Sequence, residues 1–100
     1  MRDLSALTAG DFEPLVGEPF QLSETGAGSG SVEVRLVEVL RQKQRPGHRQ
    51  PFALHFLGPR EPVLHQGVRL LSHTDLGELE CLIGPVLSNS PGVTYEAIFS

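Results

Sequence analysis

Apolar and polar residues alternate along most of the chain with a period of two, which is typical of β-strands that bury one face. The apolar phases predict strands that open at Phe20 and Leu22 and continue over residues 32–40, 52–56, 67–71, 78–83 and 94–99. Turn-forming Gly, Pro, Asn, Asp and Ser residues separate these runs. Because the pattern contains no long helix for parallel crossovers, we expect an all-β, mainly antiparallel fold of five or six strands, either a small barrel or a sandwich.

The longest predicted strand changes phase in its middle. Val32, Val34 and Leu36 share one phase, whereas Val37 and Val39 take the other. Side chains alternate strictly along a strand, so a slip of one residue indicates either a β-bulge near Leu36 and Val37 or burial of both faces as the strand bends between layers. Bulges of this kind are typical of barrels and strongly coiled sheets.

The N-terminal residues follow a different pattern, which predicts a short helix within residues 4–17. Thr8 and Asp11 form a capping-box-like pair, and Gly17 suits the C-terminal end of a helix. Pro14 limits the helix to one or two turns, because its ring clashes with the carbonyl of the preceding turn. We expect such an element to close one end of the sheet.

Glycine and proline residues predict where the later strands turn and where their pairing becomes irregular. Segments 67–71 and 78–83 predict a hairpin across residues 73–77, where Asp and Gly occupy turn positions. Gly84 and Pro85 interrupt the second arm of that hairpin, which predicts irregular pairing or an edge position.

The last predicted strand, 94–99, runs almost to the final residue, with Tyr95 and Phe99 facing inward. It either closes a barrel or presents its edge to another chain, because no Lys or Pro follows Thr94 to protect that edge. Under the second alternative, Tyr95, Ile98 and Phe99 are candidate partner-binding residues.

Charge disfavours one class of partner and points to another. The chain has 12 acidic and 8 basic residues, a net charge of −4, which disfavours general binding to a phosphate backbone. Four of the 8 basic residues nevertheless lie within residues 41–49. This basic segment is either a solvated loop or a docking loop for an acidic protein surface, and it contains no aromatic residue for stacking on nucleic-acid bases. Its candidate partner-binding residues are Arg41, Lys43, Arg45, His48 and Arg49.

Length and composition also bear on domain count and compartment. We expect a single domain over residues 1–100. The chain contains no apolar stretch near the roughly 20 residues of a membrane span, so no membrane insertion is expected. The first residues lack the apolar run of a secretory signal, which favours synthesis in the cytoplasm. The single cysteine, Cys81, allows no internal disulfide.

Histidine, cysteine and clustered glycine residues are present, but their spacing predicts no catalytic, cofactor or metal site. The histidines, at positions 48, 55, 65 and 73, lack the close spacing of zinc ligands. Cys81 lies on a predicted strand and not at a helix N-terminus or among cations, so we interpret it as a small buried hydrophobe. The glycines at 26, 28 and 30 are not followed by the Lys-Ser/Thr pair of a phosphate-binding loop.

An ordered set of motifs spans nearly the whole chain. These motifs are FEPLVGEPF at 12–20, FALHFLGP at 52–59, LHQG at 64–67, His73 with Leu76-Gly77, and YEAIF at 95–99. On these motifs the chain resembles a family of small bacterial proteins of uncharacterised function. The resemblance implies a compact β-rich fold and an accessory or structural role, since the genes of such proteins often lie near phage-tail-collar-like or fibre-like genes. His65 and Cys81 depart from the pattern, in a way that affects packing detail.

These observations favour a non-enzymatic protein-interaction or assembly module that binds a protein partner or a second copy of itself, without a cofactor. The resemblance extends this expectation to an accessory or structural protein of a fibre- or tail-like assembly. A small-ligand-binding β-barrel is the alternative, which a deep apolar pocket would favour. An enzyme is less favoured and would require His55 or His65 beside a carboxylate in a pocket.

Overall fold

The computed structural model describes residues 7–24, 31–43, 46–47, 50–59, 66–89 and 92–99. A short α-helix, α1 (Ala9–Phe12), continues into a 3₁₀ helix (Glu13–Leu15), and β-strands make up most of the remaining described residues. The strands are β1 (Pro19–Glu24), β2 (Ser31–Arg41), β3 (Phe52–Gly58), β4 (Gly67–His73), β5 (Gly77–Asn89) and β6 (Gly92–Phe99). The predicted all-β class with one short N-terminal helix is confirmed.

The strands close into an antiparallel barrel in the order β1-β2-β3-β6-β5-β4, with β4 pairing back to β1. The first three strands are consecutive neighbours and β4 lies beside β1, which is the Greek-key arrangement. Of the two predicted alternatives, the barrel is therefore the one that forms. Strand β6 pairs with β3 on one side and β5 on the other, so the hypothesis of a free terminal edge is wrong.

The predicted bulge in β2 is confirmed. Leu36 pairs with Phe56 and Glu38 pairs with the preceding residue, His55, so Val37 is the extra residue on β2. The slip lets Val32, Val34 and Leu36 point into the barrel before it and Val39 pack against the core after it. The bulge therefore keeps the apolar side of a long strand inward as the sheet coils.

Strand β5 is longer than the predicted segment 78–83, because the chain continues through Gly84 and Pro85 as a strand. The register shifts between Pro85 and Leu87, so the predicted irregular pairing is confirmed and the predicted interruption is wrong. A bulge is one of the few places in a sheet that tolerate the missing N–H of proline. Gly84 is required by a close approach, since a Cβ there would lie 2.7 Å from Cβ of Gln66.

Aromatic and aliphatic side chains fill the interior of the barrel. The largest fully buried side chains of the described residues are Leu7, Phe12, Phe20, Leu22, Leu36, Phe52, Leu54, Phe56, Leu71, Leu79, Ile83 and Tyr95. Phe52 and Phe99 stack with ring centroids 4.8 Å apart. Phe12 of α1 packs on both rings, at 5.7 Å and 5.6 Å, so the helix closes one end of the barrel as expected.

The two ends of the helix form as their residues predict, with a capping box at the start and a glycine after the end. The backbone N–H of Thr8 donates to Oδ2 of Asp11 at 2.8 Å, and the N–H of Asp11 donates to the Thr8 carbonyl at 3.0 Å. Pro14 lies in the 3₁₀ helix, and Gly17 takes a positive φ of 95° after it, so the predicted limit of one or two turns is confirmed. Within the described residues, no helix is long and apolar enough to cross a membrane.

Candidate functional site

Outward side chains of five neighbouring strands form a row of apolar residues across the outside of the barrel. We call this the outer apolar row; its members are Leu40, Ala53, Ile98, Leu82 and Val68. Leu40 pairs with Ala53, Ala53 with Ile98, and Leu82 with Val68. Ile98 and Leu82, on adjacent strands β6 and β5, line one shallow groove. The row therefore crosses β2, β3, β6, β5 and β4 in that order.

The exposure of this row is largest at its centre and at its β4 end. Ile98 is 60% exposed, Leu82 52% and Val68 55%. Val86, at the bulge of β5, is also exposed and lines the groove with Ile98 and Leu82. Ala53 is buried but does not belong to the core cluster, which agrees with its outward phase. Clustered exposed aliphatic side chains are a feature of binding surfaces, whereas isolated ones are ordinary.

A polar row runs beside the apolar one, displaced along the strands. Glu38 pairs with His55, and His55 pairs with Glu96. Nε2 of His55 lies 2.9 Å from Oε2 of Glu96, and its Nδ1 lies 3.7 Å from Oε1 of Glu38. The two carboxylates thus lie at opposite nitrogens of the ring. His55 faces away from the core, as the strand alternation predicts.

Strands β3, β6 and β5 present one sign of charge. Their outward sides, which we call the outer face, contain Glu78, Glu80 and Glu96, and the three strands contain no Lys or Arg. Glu78 and Glu80 are exposed and lie in phase with Leu82 on β5. The outer face therefore has an apolar centre at Ile98 and Leu82 and carboxylates around it.

Arg41, the first candidate of the basic segment, is held within the molecule. Its Nη2 lies 2.7 Å from Oε1 of Glu13, and its Nε lies 3.1 Å from Oε2, which makes the pair bidentate. The hydrogen bond from Arg41 holds the pKa of the Glu13 carboxyl below its ordinary value. Nη1 of Arg41 also donates to Oε1 of Gln50 at 3.1 Å. This arginine connects the 3₁₀ helix to the end of β2.

The other candidates from the sequence divide into four groups. Lys43 is exposed, whereas Arg45, His48 and Arg49 lie outside the described residues, as do the glycines at 26, 28 and 30. Tyr95 and Phe99 are buried in the core, so their selection as contact residues on a free edge is wrong: the closed barrel turns both side chains inward. Ile98 has the outward phase, and its contact with a partner stays a prediction.

The exposed residues Val68, Leu82 and Val86 are candidates that the sequence reasoning missed. A signal was present for Leu82, because it shares the outward phase of Glu78 and Glu80. For Val86 no such signal existed, since its phase depends on the bulge after Pro85. Val68 is recognisable only once β4 is paired with β5.

His73 is a buried polar side chain with a structural role. Its Nε2 lies 2.6 Å from Oε1 of Glu18, and its Nδ1 accepts backbone N–H groups from Asp75 at 3.1 Å and Leu76 at 3.3 Å. An Nδ1 that accepts places the ring hydrogen on Nε2, which then donates to Glu18. The ring packs 4.7 Å from that of Phe20. Both nitrogens are used to hold the β4–β5 turn against the start of β1.

Cys81 has the environment predicted for it. The side chain is buried, and burial raises the pKa of its thiol to about 12. A thiol in this environment is not a reactive nucleophile at neutral pH. Within the part of the chain that the structure describes, no three His, Cys, Asp or Glu side chains are grouped so that they could hold a metal ion.

The geometry defines a class of protein: a closed, six-stranded Greek-key barrel with a filled interior and with Ile98, Leu82 and Val68 exposed on its outside. The chain belongs to the family described as Domain of unknown function (DUF6916), whose model matches residues 7–99. This match confirms the expected membership of a family of unknown function. No curated protein and no solved structure matches the chain.

Proposed function

We propose that the protein is a non-enzymatic interaction or assembly module that binds a protein partner through its outer face, centred on Ile98 and Leu82. The observation that carries this proposal is the exposure of Ile98, Leu82, Val68 and Val86 on three neighbouring strands. A barrel with a complete core has no need of these side chains for its own packing. Their burial against a partner removes apolar surface from water, which favours association.

The free energy gained by burying the exposed apolar side chains indicates how much additional binding energy a tight partner must supply. Full burial of a Leu, Ile or Val side chain contributes roughly 1.5–3 kcal/mol, so each half-exposed member of this surface offers about 1 kcal/mol. Three or four such residues provide an association free energy of about 4 kcal/mol, which corresponds to roughly millimolar affinity before any cost of association. A partner that binds more tightly must therefore add polar contacts, for which the exposed carboxylates Glu78 and Glu80 are available beside Leu82.

The filled interior supports an interaction module over a small-ligand-binding barrel. Aromatic side chains occupy the space where a ligand cavity would lie, and the groove at Ile98 and Leu82 is on the outer surface. The condition set for an enzyme is met only in part: His55 lies beside the carboxylates of Glu96 and Glu38, but it does not line the groove at Ile98 and Leu82. His65 lies outside the described residues. Both nitrogens of His73 are engaged, and the Cys81 thiol is buried. A bacterial source and a fibre- or tail-like assembly are finer proposals that rest on the sequence resemblance alone.

Affinity capture from the cells that produce the protein tests this function. Ile98→Glu places a charge at the centre of the outer face, whereas the matched control Val16→Glu changes a residue of similar exposure, 47%, in the turn before β1. We expect the wild type and Val16→Glu to retain the same partner, identified by mass spectrometry, and Ile98→Glu to lose it. Equal capture by all three proteins would contradict a role for the outer face.

A further inference from the structure

Two exposed carboxylates, those of Glu78 and Glu80, lie beside the apolar centre of the outer face. Glu78, Glu80 and Leu82 are alternate residues of β5, so their side chains project on the same outward side, roughly 7 Å apart along the strand. The ion pairs among the described residues use other carboxylates, those of Glu13, Glu18, Glu38 and Glu96. Glu78 and Glu80 are therefore available to a partner.

The strands on either side of β5 place no outward cation beside these carboxylates. On β4, Ser72 pairs with Glu78, and Leu70 pairs with Glu80. Arg69 of β4 is buried in the opposite, inward phase. Strand β6 contains no Lys or Arg. Within the described part of the chain, the surface around Glu78 and Glu80 is therefore negative, and the net charge of the whole chain, −4, has the same sign.

The groove at the other side of Leu82 is too small for a typical small-molecule ligand. Leu82, Val86 and Ile98 give it an apolar lining, and its volume is about 130 Å³. Small-molecule pockets usually measure about 300–1,000 Å³. The groove is therefore suited to an aliphatic side chain of a partner, and the sites for cations and for this side chain follow one another along β5.

From this order of charged and apolar residues we infer that the partner of the outer face is a basic protein segment. Its Lys or Arg side chains meet Glu78 and Glu80, and an aliphatic side chain enters the groove at Leu82 and Ile98. This partner class rests on the proposed function and deepens it. Charge complementarity of this kind sets the orientation and the choice of partner more than it adds affinity. The same carboxylates disfavour an anionic membrane surface, which attracts basic segments.

Peptides that differ only in charge or in apolar content test this partner class. One contains two lysines and two valines separated by serines; glutamates replace the lysines in the second, and serines replace the valines in the third. Each peptide is titrated into the isotope-labelled full chain, and the amide signals of residues 78–86 and 96–98 are followed by NMR at about 50 mM and about 500 mM salt. The protein variants are Glu80→Gln, Ile98→Ser and the matched control Glu33→Gln, which removes an exposed carboxylate on β2.

We expect the peptide with lysine and valine to bind with roughly millimolar affinity, and more weakly at high salt. The other two peptides should bind at least about fivefold more weakly. Glu80→Gln should weaken binding of the first peptide by roughly twofold to fivefold at low salt, the range of an exposed ion pair, whereas Glu33→Gln should leave it unchanged. Ile98→Ser should also weaken binding, because it removes the apolar contact. The amide spectrum verifies the fold of each variant, and Leu82→Ser replaces Ile98→Ser if the latter is poorly folded.

Three results would overturn the basic partner: no binding of the peptide with lysine and valine, equal binding of the lysine and glutamate peptides, or equal effects of Glu80→Gln and Glu33→Gln. A partner that is captured from cells through Ile98 and binds equally well to Glu80→Gln would overturn only the basic chemistry. Binding and capture that are both independent of Ile98 would instead remove the proposed function.

Discussion

The two sides of strand β6 carry apolar side chains in opposite surroundings. Inward Tyr95 and Phe99 are buried among the aromatic rings of the core, whereas outward Ile98 is more than half exposed. The same contrast separates Ile83 from Leu82 on β5. An inward apolar residue is explained by the fold of its own chain. An outward one is not explained by the core of its own chain, and we attribute the outward apolar cluster to the proposed contact with a partner.

The largest effect is expected from deleting an inward ring. Phe52→Ala removes a fully buried side chain that stacks on Phe99 and contacts Phe12. We expect the free energy of unfolding to fall by roughly 3–5 kcal/mol, because the loss leaves a cavity at the closed end of the barrel. Chemical denaturation of the variant and the wild type measures this difference in the free energy of unfolding. The matched outward change, Ile98→Ala, should alter stability by about 0.5 kcal/mol or less; equal effects would remove the contrast between the two sides.

A close backbone approach gives the next largest effect. A Cβ at Gly92 would lie 2.1 Å from the carbonyl oxygen of Gly58, where β6 meets β3. Gly92→Ala must therefore displace backbone, and we expect destabilisation of about 1–3 kcal/mol in thermal or denaturant unfolding. Gly67→Ala is the control, because a Cβ there meets no atom within 4 Å. It should leave stability unchanged or raise it, and a loss as large as that of Gly92→Ala would contradict this packing.

Burial of Cys81 predicts a dependence of stability on pH. Its pKa is about 12 in the folded protein against 9.0 for the free thiol, so the unfolded chain loses the proton first as pH rises. Stability from the protonated thiol is complete below pH 9 and falls above it, by up to about 1.4 kcal/mol per pH unit. Unfolding of the wild type and of Cys81→Ala is compared at pH 8 and pH 10. The difference between them should change with pH, and a constant difference would show that the thiol ionises equally in both states.

The smallest effect is expected at the exposed pair Glu13 and Arg41. Arg41 lowers the pKa of Glu13, so the pair contributes above the ordinary carboxyl pKa of 4.5 and the contribution is lost as pH falls below it. Glu13→Gln should therefore reduce the thermal midpoint slightly at pH 7 and low salt, and not at acidic pH or high salt. A loss that persists under acidic conditions would mean that Glu13 stabilises the fold by packing and not by charge.

The sequence predicts the inward side of the molecule better than the outward side. Alternation locates the strands, and the slip at Val37 identifies the bulge, because both depend on local backbone geometry. The extension of β5 through Pro85 is not predictable in this way, since a neighbouring strand must first accept the shifted register. Closure likewise depends on pairing between β1 and β4, which are distant in the chain.

The candidate site is only partly visible in the sequence. The terminal position of strand 94–99 makes Ile98 a candidate, and in the structure its side chain is exposed although β6 has no free edge. Val68 joins the same surface through its pairing with Leu82, which no local pattern encodes. The terminal position of the strand also makes Tyr95 and Phe99 candidates, through main-chain pairing at a free edge, whereas in the closed barrel both side chains are buried in the core.

Site-specific photo-crosslinking in the producing cells tests the outer face most directly. A photoreactive residue is introduced at position 82, at the centre of that face, and separately at position 16 as a control with comparable exposure. We predict a discrete crosslinked protein at position 82 and none at position 16, whether the captured partner is a second copy or another chain. Crosslinking that is absent at position 82, or equal at both positions, would contradict a protein-binding role for the outer face.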